Sequence, residues 1–372
     1  MRVAIAHDYL TQRGGAERVL LSMLGAFPDA PLHTSLYRPT GTFPAFASAD
    51  VRTLPIDRFG LLRRHHRLAF PFLASSFSSQ TVDADVVLCS SSGWAHGIRT
   101  TGRKVVYCYS PARWLYYGDT YLGGGRKLLA GPALAAARAG LVRWDRRNAA
   151  SAGCYLTSST VVRDRIQDTY GIEAEVLPPP HSLDTSLPQR AVPTVEPGFF
   201  LIVARLLAYK NVGTVVSAFD ALADQRLVVV GTGPEIARLR RLAGPNVTFA
   251  GQVHDDELRW LYANCTAVIS AGYEDYGLTP IEAAAFGRPA VVLAAGGFLD
   301  TVVEGETGVF FEEPCPAAVA GAVREVLATS WSEAAVKAHA GHFGEAAFRR
   351  RLRQVVLGEK PARTGDGRVV AS

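Results

Sequence analysis

Thr266 to Gly297 reads TAVISAGYEDYGLTPIEAAAFGRPAVVLAAGG. TAVISA is a short apolar, β-branched run, and a polar loop, GYEDYG, follows it. A helical segment then opens at Thr279-Pro280, Gly287 and Pro289 stop it, and RPAVVLAA begins a second apolar run. Strand, loop, short helix and strand in this order describe a parallel pair with a helical crossover, buried on both faces.

The same grammar recurs in both halves. The first half carries RVAIAHDYL, ADVVLCSSS, KVVYCYSP, AGCYLTSS and AEVLPPP; the second carries FFLIVAR, RLVVVG, VTFAG, TAVISA, RPAVVLAA and TGVFF. The predicted class is α/β, with two Rossmann-like doubly wound domains facing across a cleft. Pro178 to Gly198 is proline-rich and without period, and reads as a linker. The predicted divisions are 1–190, 198–357 with its last helix returning to the N-terminal domain, and a flexible tail at 358–372.

Composition narrows the function classes. Of 372 residues, 48% are hydrophobic and 20% charged, which describes a folded globular chain. A net charge of +5 favours anionic ligands or an anionic surface but is far below that of a nucleic-acid tail. Five scattered cysteines (89, 108, 154, 265 and 315) show no C-x-x-C and no zinc spacing, so a reducing cytoplasm is expected. No run approaches the roughly 18 apolar residues of a membrane span. Peripheral membrane contact is left to RFGLLRRHHRLAF, Arg58 to Phe70, whose other reading is a solvated basic segment.

In doubly wound sheets ligands sit beyond the carboxyl ends of the strands, so polar groups placed there carry the functional reading. After the first strand, Gly14-Gly15 stands just before a helical stripe. There glycines permit positive φ and an anion at the helix N-terminus; a plain turn is the alternative. Arg205 ends FFLIVAR and Lys210 follows it, two cations able to grip a diphosphate or simply to make surface salt bridges. Gly231-Thr232-Gly233 reads as a close-approach turn without the third glycine of a dinucleotide site. Thr279, Pro280 and Glu282 read as N-cap, N1 and N3 of a capping box, so Glu282 has a structural explanation. Glu274 lies in the loop and has none. Gly277 and Leu278 present backbone N–H groups to phosphate at that helix start. His96, beside Trp94 and Gly97, follows a strand and is a candidate ligand contact or a satisfied core histidine. Asp83 and Asp85 read as strand edging at the wrong end of the sheet for a metal. His254 to Glu257 reads as an acidic helix start.

Taken together, HDYLTQRGGAERVL, GWAHG, LPPP, VARLLAYKN, GTGPE, GQVHDDEL, EDYGLTPIEAAAFGRPAV and GGFLDTVVEGETGVFF resemble the retaining glycosyltransferases of family 4, from Val3 to about Val356. The E-x7-E element with its upstream Arg and Lys is the specific combination. HDYLTQRGGAERVL with YCYSPARWLYYGDTYL resembles the O-antigen mannosyltransferase-like subgroup. Tyr117, His181 and Asp300 depart from the family pattern.

The resemblance implies a GT-B fold and a metal-independent, retaining hexosyl transfer with no cofactor. The implied donor is a nucleotide-diphospho-sugar, GDP-mannose first. The implied acceptor is a glycan, lipid-linked or small molecule held by the N-terminal domain, with Arg113, Trp114 and Tyr117 as candidates. Arg205, Lys210, Gly14, Gly15, Gly277, Leu278 and Thr279 would hold the diphosphate. Glu282 would take the ribose, Glu274 and His96 the transferred sugar, and Val253 the nucleobase; Gly231 and Tyr276 complete the donor site. A UDP-sugar or deoxysugar transferase acting on a natural-product scaffold, and a noncatalytic nucleotide-sugar or glycan-binding module, stay open. A dinucleotide-dependent oxidoreductase is disfavoured by the missing glycine fingerprint.

Overall fold

The structure is a computed structural model that describes residues 1–117, 132–181 and 183–359, with backbone alone over 132–136. Most of the expected tail, residues 360–372, lies outside the described residues, as do 118–122 of the aromatic stretch. The chain divides into two compact units. One comprises Met1–Ser158, Val162–Leu177 and the chain from Ala346 onward; the other comprises Ser159–Val161 and Pro178–Glu345.

The first unit holds β1 (Val3–His7), β2 (Leu32–Thr34), β3 (Val51–Thr53), β4 (Thr81–Val82), β5 (Val86–Ser91), β6 (Arg99–Thr100), β7 (Arg103–Cys108), β8 (Cys154–Thr157) and β9 (Glu175–Val176). Seven of these form one parallel sheet in the order β3-β2-β1-β5-β7-β8-β9. The strand period of two sorts its side chains into two cores. Ala4, Ala6, Val87, Cys89, Val106 and Cys108 enter one. Ile5, Val86, Leu88, Val105 and Tyr107 enter the other. The second core also receives Phe348, Leu352 and Val356, spaced four apart on the helix Glu345–Leu357. That apolar stripe is why the C-terminal helix belongs to this unit.

The second unit holds β10 (Phe199–Val203), β11 (Leu227–Val230), β12 (Val247–Gly251), β13 (Cys265–Ser270), β14 (Ala290–Leu293) and β15 (Gly308–Phe311). They form a parallel sheet in the order β12-β11-β10-β13-β14-β15. Renumbered from the unit's first strand, this is 3-2-1-4-5-6, the doubly wound dinucleotide-type order. The expected linker is not free. Leu183 and Val195 are buried in the second core, and Arg190 pairs with Asp256 at 2.9 Å. Proline content marks an irregular backbone there, and that backbone is anchored at these points while most of its residues are exposed.

Candidate functional site

Strand order reverses between β10 and β13 in the second unit, and the crevice beyond the carboxyl ends of such a pair is where doubly wound sheets bind ligands. Lys210 ends a short 3-10 turn, Ala208–Lys210, after β10, and Glu274 lies in the loop after β13. Their side chains form an ion pair and are 15% and 28% exposed. The sequence separates these residues by more than sixty positions; the reversal point joins them.

The surrounding backbone explains why they meet. Asn211 is the one non-glycine residue with positive φ (51°) among the described residues, and its amide donates to the Ala271 carbonyl at 3.1 Å. Asparagine tolerates this left-handed geometry better than other side chains, so it can turn the chain after Lys210 and tie it to the β13 loop. From the other side, Gly297 N–H donates to the Glu274 carbonyl at 2.8 Å. A Cβ on Gly297 would lie 2.6 Å from the Asp275 carbonyl oxygen, so only glycine lets the β14 loop press this closely.

The helix beyond Glu274 corrects the expected capping box. It spans Leu278–Ala285, its N-cap is Gly277 at φ 83°, and no side chain caps it. The left-handed Gly277 starts the helix two residues earlier than expected, which puts Thr279 and Pro280 inside the first turn. The Thr279 hydroxyl approaches the Val203 carbonyl at 3.5 Å instead. Glu282 is therefore no reciprocal cap. Its Oε2 accepts from the buried Tyr262 hydroxyl at 2.8 Å, and burial, with Glu282 beside it, pushes the phenol well above its ordinary pKa. A capping contact does appear at the acidic start, where Glu257 accepts from His254 N–H at 2.9 Å.

The remaining expected residues of this unit fall as follows. Arg205 is exposed, just past β10, and has no ion-pair partner among the described residues. Gly231 has φ 128°, and a Cβ there would collide with the Ala204 carbonyl, so its close approach is to the β10 loop itself. Val253 lies two residues past β12 and packs partly buried on the core. The Tyr276 side chain is buried, and its hydroxyl donates to the Pro179 carbonyl at 2.8 Å. Asp300, where the sequence departs from the family pattern, accepts from the Thr160 N–H and hydroxyl, each at 2.8 Å.

The first unit has the same reversal point, between β1 and β5. There the protein's own carboxylate fills the crevice. Asp8 accepts from the N–H groups of Ser92, Trp94 and Ala95 at 2.7, 3.2 and 2.6 Å. Burial raises its pKa, and these three donors oppose the rise. Gly14 and Gly15 do not need the positive φ expected of them. Gly14 is an extended N-cap (φ −128°) of the helix Gly15–Ala26, and the buried Glu17 carboxylate lies over it, where a Cβ would be 2.6 Å from Oε2.

His96 is placed in the core of its unit. Its ring is 3% exposed, with Nδ1 3.1 Å from Ser91 Oγ and Nε2 3.0 Å from Asp145 Oδ1. The second approach is close but is not an aligned hydrogen bond. Asp145 is fully buried and accepts on Oδ2 from the Tyr116 and Tyr170 hydroxyls at 2.7 and 2.8 Å. Both His96 nitrogens thus face groups of their own unit.

The acceptor candidates are partly spoken for as well. Trp114 stacks on Trp94 with ring centroids 4.6 Å apart, and the Tyr117 hydroxyl meets Thr169 at 3.2 Å. Arg113 opens the short helix Arg113–Tyr116 and is half-buried. Asp83 and Asp85 both serve Arg2, at 3.2 Å to its guanidinium and 2.6 Å to its N–H, as strand edging predicts. Among the described residues no three His, Cys, Asp or Glu side chains gather as a metal site.

His7 gives this unit a pH dependence. Its ring is fully buried, Nδ1 lies 2.9 Å from Ser90 Oγ, and burial lowers its pKa to about 4. The unfolded histidine titrates near 6.5, so between about pH 6.5 and 4 the unfolded chain holds the extra proton. Stability contributed by neutral His7 is complete above that window and is lost as pH falls through it. His7→Gln is expected to remove about 3 kcal/mol of acid sensitivity, read as the difference between the two unfolding-versus-pH curves. Parallel curves between pH 7 and 4 would contradict this account.

Sequence reasoning missed Tyr262, Asn211, Asp8, Glu17 and Asp145. Asn211 had a detectable signal, an asparagine directly after the lysine and before a helix. Tyr262 and Asp145 sit within helical patterns and had none.

Residues 186–346 match the family model described as glycosyl transferases group 1. The matched residues nearly coincide with the second unit. The fold is GT-B, with two Rossmann-like domains. Over 97% of its length the chain superposes on all of the lipopolysaccharide outer core galactosyltransferase WaaB (TM-score 0.66, 18% identity). It covers 96% of its length on all of the Anabaena protein HepE in complex with UDP-glucose (TM-score 0.67, 15% identity). Among curated relatives, a glycogen synthase of Mycobacterium tuberculosis is 31% identical over 185 residues, 46% of this chain and 45% of the relative. The GDP-mannose-dependent alpha-(1-6)-phosphatidylinositol monomannoside mannosyltransferase of the same organism is 30% identical over 201 residues, 45% and 51% of the two chains. The chain spans about half the length of these curated relatives.

Proposed function

We propose that the chain is a retaining, metal-independent hexosyltransferase that uses a nucleotide-diphospho-sugar, GDP-mannose first, and delivers the sugar to a glycan, lipid-linked or small-molecule acceptor. The observation that carries the reading is the Lys210–Glu274 pair at the reversal point of the group 1 segment. The similarity to a GDP-mannose-dependent relative supports the choice of donor.

In this reading, departure of the nucleoside diphosphate builds negative charge on phosphate, and fixed cations and N–H dipoles stabilise it. Lys210 and Arg205 supply the cations. The first N–H groups of Leu278–Ala285 supply the dipoles. Lys210 leaves Glu274 for the phosphate, which frees Glu274 to accept from sugar hydroxyls. Glu282, oriented by Tyr262, accepts from the ribose. Val253 lies against the base. His96 is given no sugar contact, because its ring is buried among groups of its own unit. Five cysteines free of disulfides support a cytoplasmic setting.

The test is a thermal-shift series with GDP, UDP, dTDP and ADP, followed by donor turnover with and without EDTA. GDP is expected to raise Tm most, by mass action. GDP-mannose is expected to be consumed, and transfer to keep the anomeric configuration in proton NMR. A larger shift with UDP reassigns the donor. No shift with any nucleotide and no turnover of any sugar nucleotide removes the transferase reading.

A further inference from the structure

The segment from Phe59 to Phe72 is the part of the first unit whose chemistry the proposed reaction does not use. Four large apolar side chains point outward there: Phe59 (56% exposed), Leu61 (63%), Leu68 (52%) and Phe72 (55%). Twelve large hydrophobics are exposed among the described residues, so a third of them fall within fourteen consecutive positions. Scattered exposed hydrophobics need no explanation, but a local concentration marks a contact surface.

These side chains are carried on a fixed platform. Leu61, Leu68 and Phe72 belong to three consecutive short helical elements, Gly60–Arg64, His66–Ala69 and Phe70–Ser79, and Phe59 caps the first, whose Leu62 packs partly buried against the core. Ala69, Leu73 and Phe77 enter the first unit's core, and Ser78 accepts from the Trp144 indole at 2.7 Å. His66 stacks on Tyr9 with ring centroids 4.6 Å apart. Phe72 and Leu68 are therefore outward by construction, since their neighbours on the same helices are the anchors.

Charge identifies the occupant. From Arg58 to Val82 the sequence has four arginines (58, 63, 64 and 67) and no aspartate or glutamate. Arg63 is paired with Asp57 at 3.7 Å, whereas Arg64 and Arg67 are exposed without an ion-pair partner among the described residues. A second copy of the chain meeting this face about a two-fold axis would set arginines against arginines. An anionic phospholipid surface accepts both components, taking the apolar side chains at its boundary and the guanidinium groups at its headgroups. We propose that Phe59, Leu61, Leu68 and Phe72, with Arg64 and Arg67, dock the chain on an anionic bilayer surface. This proposal does not rest on the glycosyl-transfer reading, and its test uses no activity.

Full-length protein is sedimented with vesicles of phosphatidylcholine alone and of phosphatidylcholine with about 30 mol% phosphatidylglycerol, across a salt series. Binding is expected to the anionic vesicles only and to weaken with salt. Arg64→Gln with Arg67→Gln is expected to lower the partition coefficient about 25-fold, from about fivefold for each basic residue at the surface. Phe59→Ser with Leu61→Ser is expected to abolish the binding that survives about 0.5 M salt, where charge attraction is screened. All four positions are on the surface, so an unchanged circular dichroism spectrum and Tm verify the fold of each variant. Equal binding to neutral and anionic vesicles, no binding at low salt, or variants that bind like the parent would each overturn the proposal. A dimer in analytical ultracentrifugation that Phe59→Ser with Leu61→Ser dissolves would assign the face to a second copy and overturn it as well.

Discussion

Lys210→Ala is expected to lower turnover by about 10²- to 10³-fold, the usual loss when one preorganised contact to a developing oxyanion is removed. The prediction follows from position. Lys210 is mostly buried at the reversal point between β10 and β13, and its ion-pair partner among the described residues is the Glu274 carboxylate. Both side chains keep some contact with solvent, so breaking the pair should cost less than the roughly 3–5 kcal/mol of a fully buried one, and the alanine variant should stay folded. A large kinetic effect with a small stability effect separates the functional role from the structural one. The loss should appear mainly in kcat, because the charge it meets is greatest in the transition state. Lys210→Arg should recover part of it, since charge is kept while a planar fork replaces a point donor. Near-parental turnover by folded Lys210→Ala would remove the diphosphate role from this residue.

The second large effect is on stability. Asp145→Ala is expected to destabilise the first unit by about 3–5 kcal/mol, the cost of breaking a buried, hydrogen-bonded charge arrangement from one side. Asp145 is fully buried, and the change would leave Tyr116, Tyr170 and His96 facing a void. Unpaired buried donors lose their partner without regaining water, which makes the loss larger than that of an exposed pair. Asp145→Asn keeps one carbonyl oxygen for the two tyrosines and should recover more than half. Urea unfolding followed by tryptophan fluorescence reads this unit well, because Trp94, Trp114 and Trp144 of the five tryptophans lie in it. An alanine variant within about 1 kcal/mol of the parent would show that the tyrosines and His96 find water or other partners.

Much of the fold was legible because its cause is local. Strands buried on both faces must be apolar at every position, and LVVV (Leu227–Val230) and AVVL (Ala290–Leu293) are. Alternating them with helices leaves few parallel arrangements. The Pro178–Gly198 segment shows the limit of such reading, since nothing local says that Leu183, Arg190 and Val195 anchor an otherwise exposed, irregular backbone.

The candidate site divides along the same line. Glu274 stood out as a loop carboxylate without a local explanation, and Lys210 as a cation past a strand end. Thr-Pro-Ile-Glu has the spacing of a capping box at Glu282, and nothing local says that Gly277 will adopt φ 83° and start the helix earlier. The sequence leaves both readings of His96 open because one residue that buries its ring, Asp145, is 49 positions away on a helix.

By itself the sequence determined the α/β class, the two parallel sheets, the positions of the strand-end loops and the residue types placed in them. Those follow from burial and chain stiffness acting over a few residues. Only the tertiary structure decided which loops share a reversal point, so that Lys210 meets Glu274, Tyr262 orients Glu282, and Asp8 fills the first unit's crevice. Strand order sets these pairings, and it arises from the packing of elements dozens of residues apart, a distance at which local pattern carries no information.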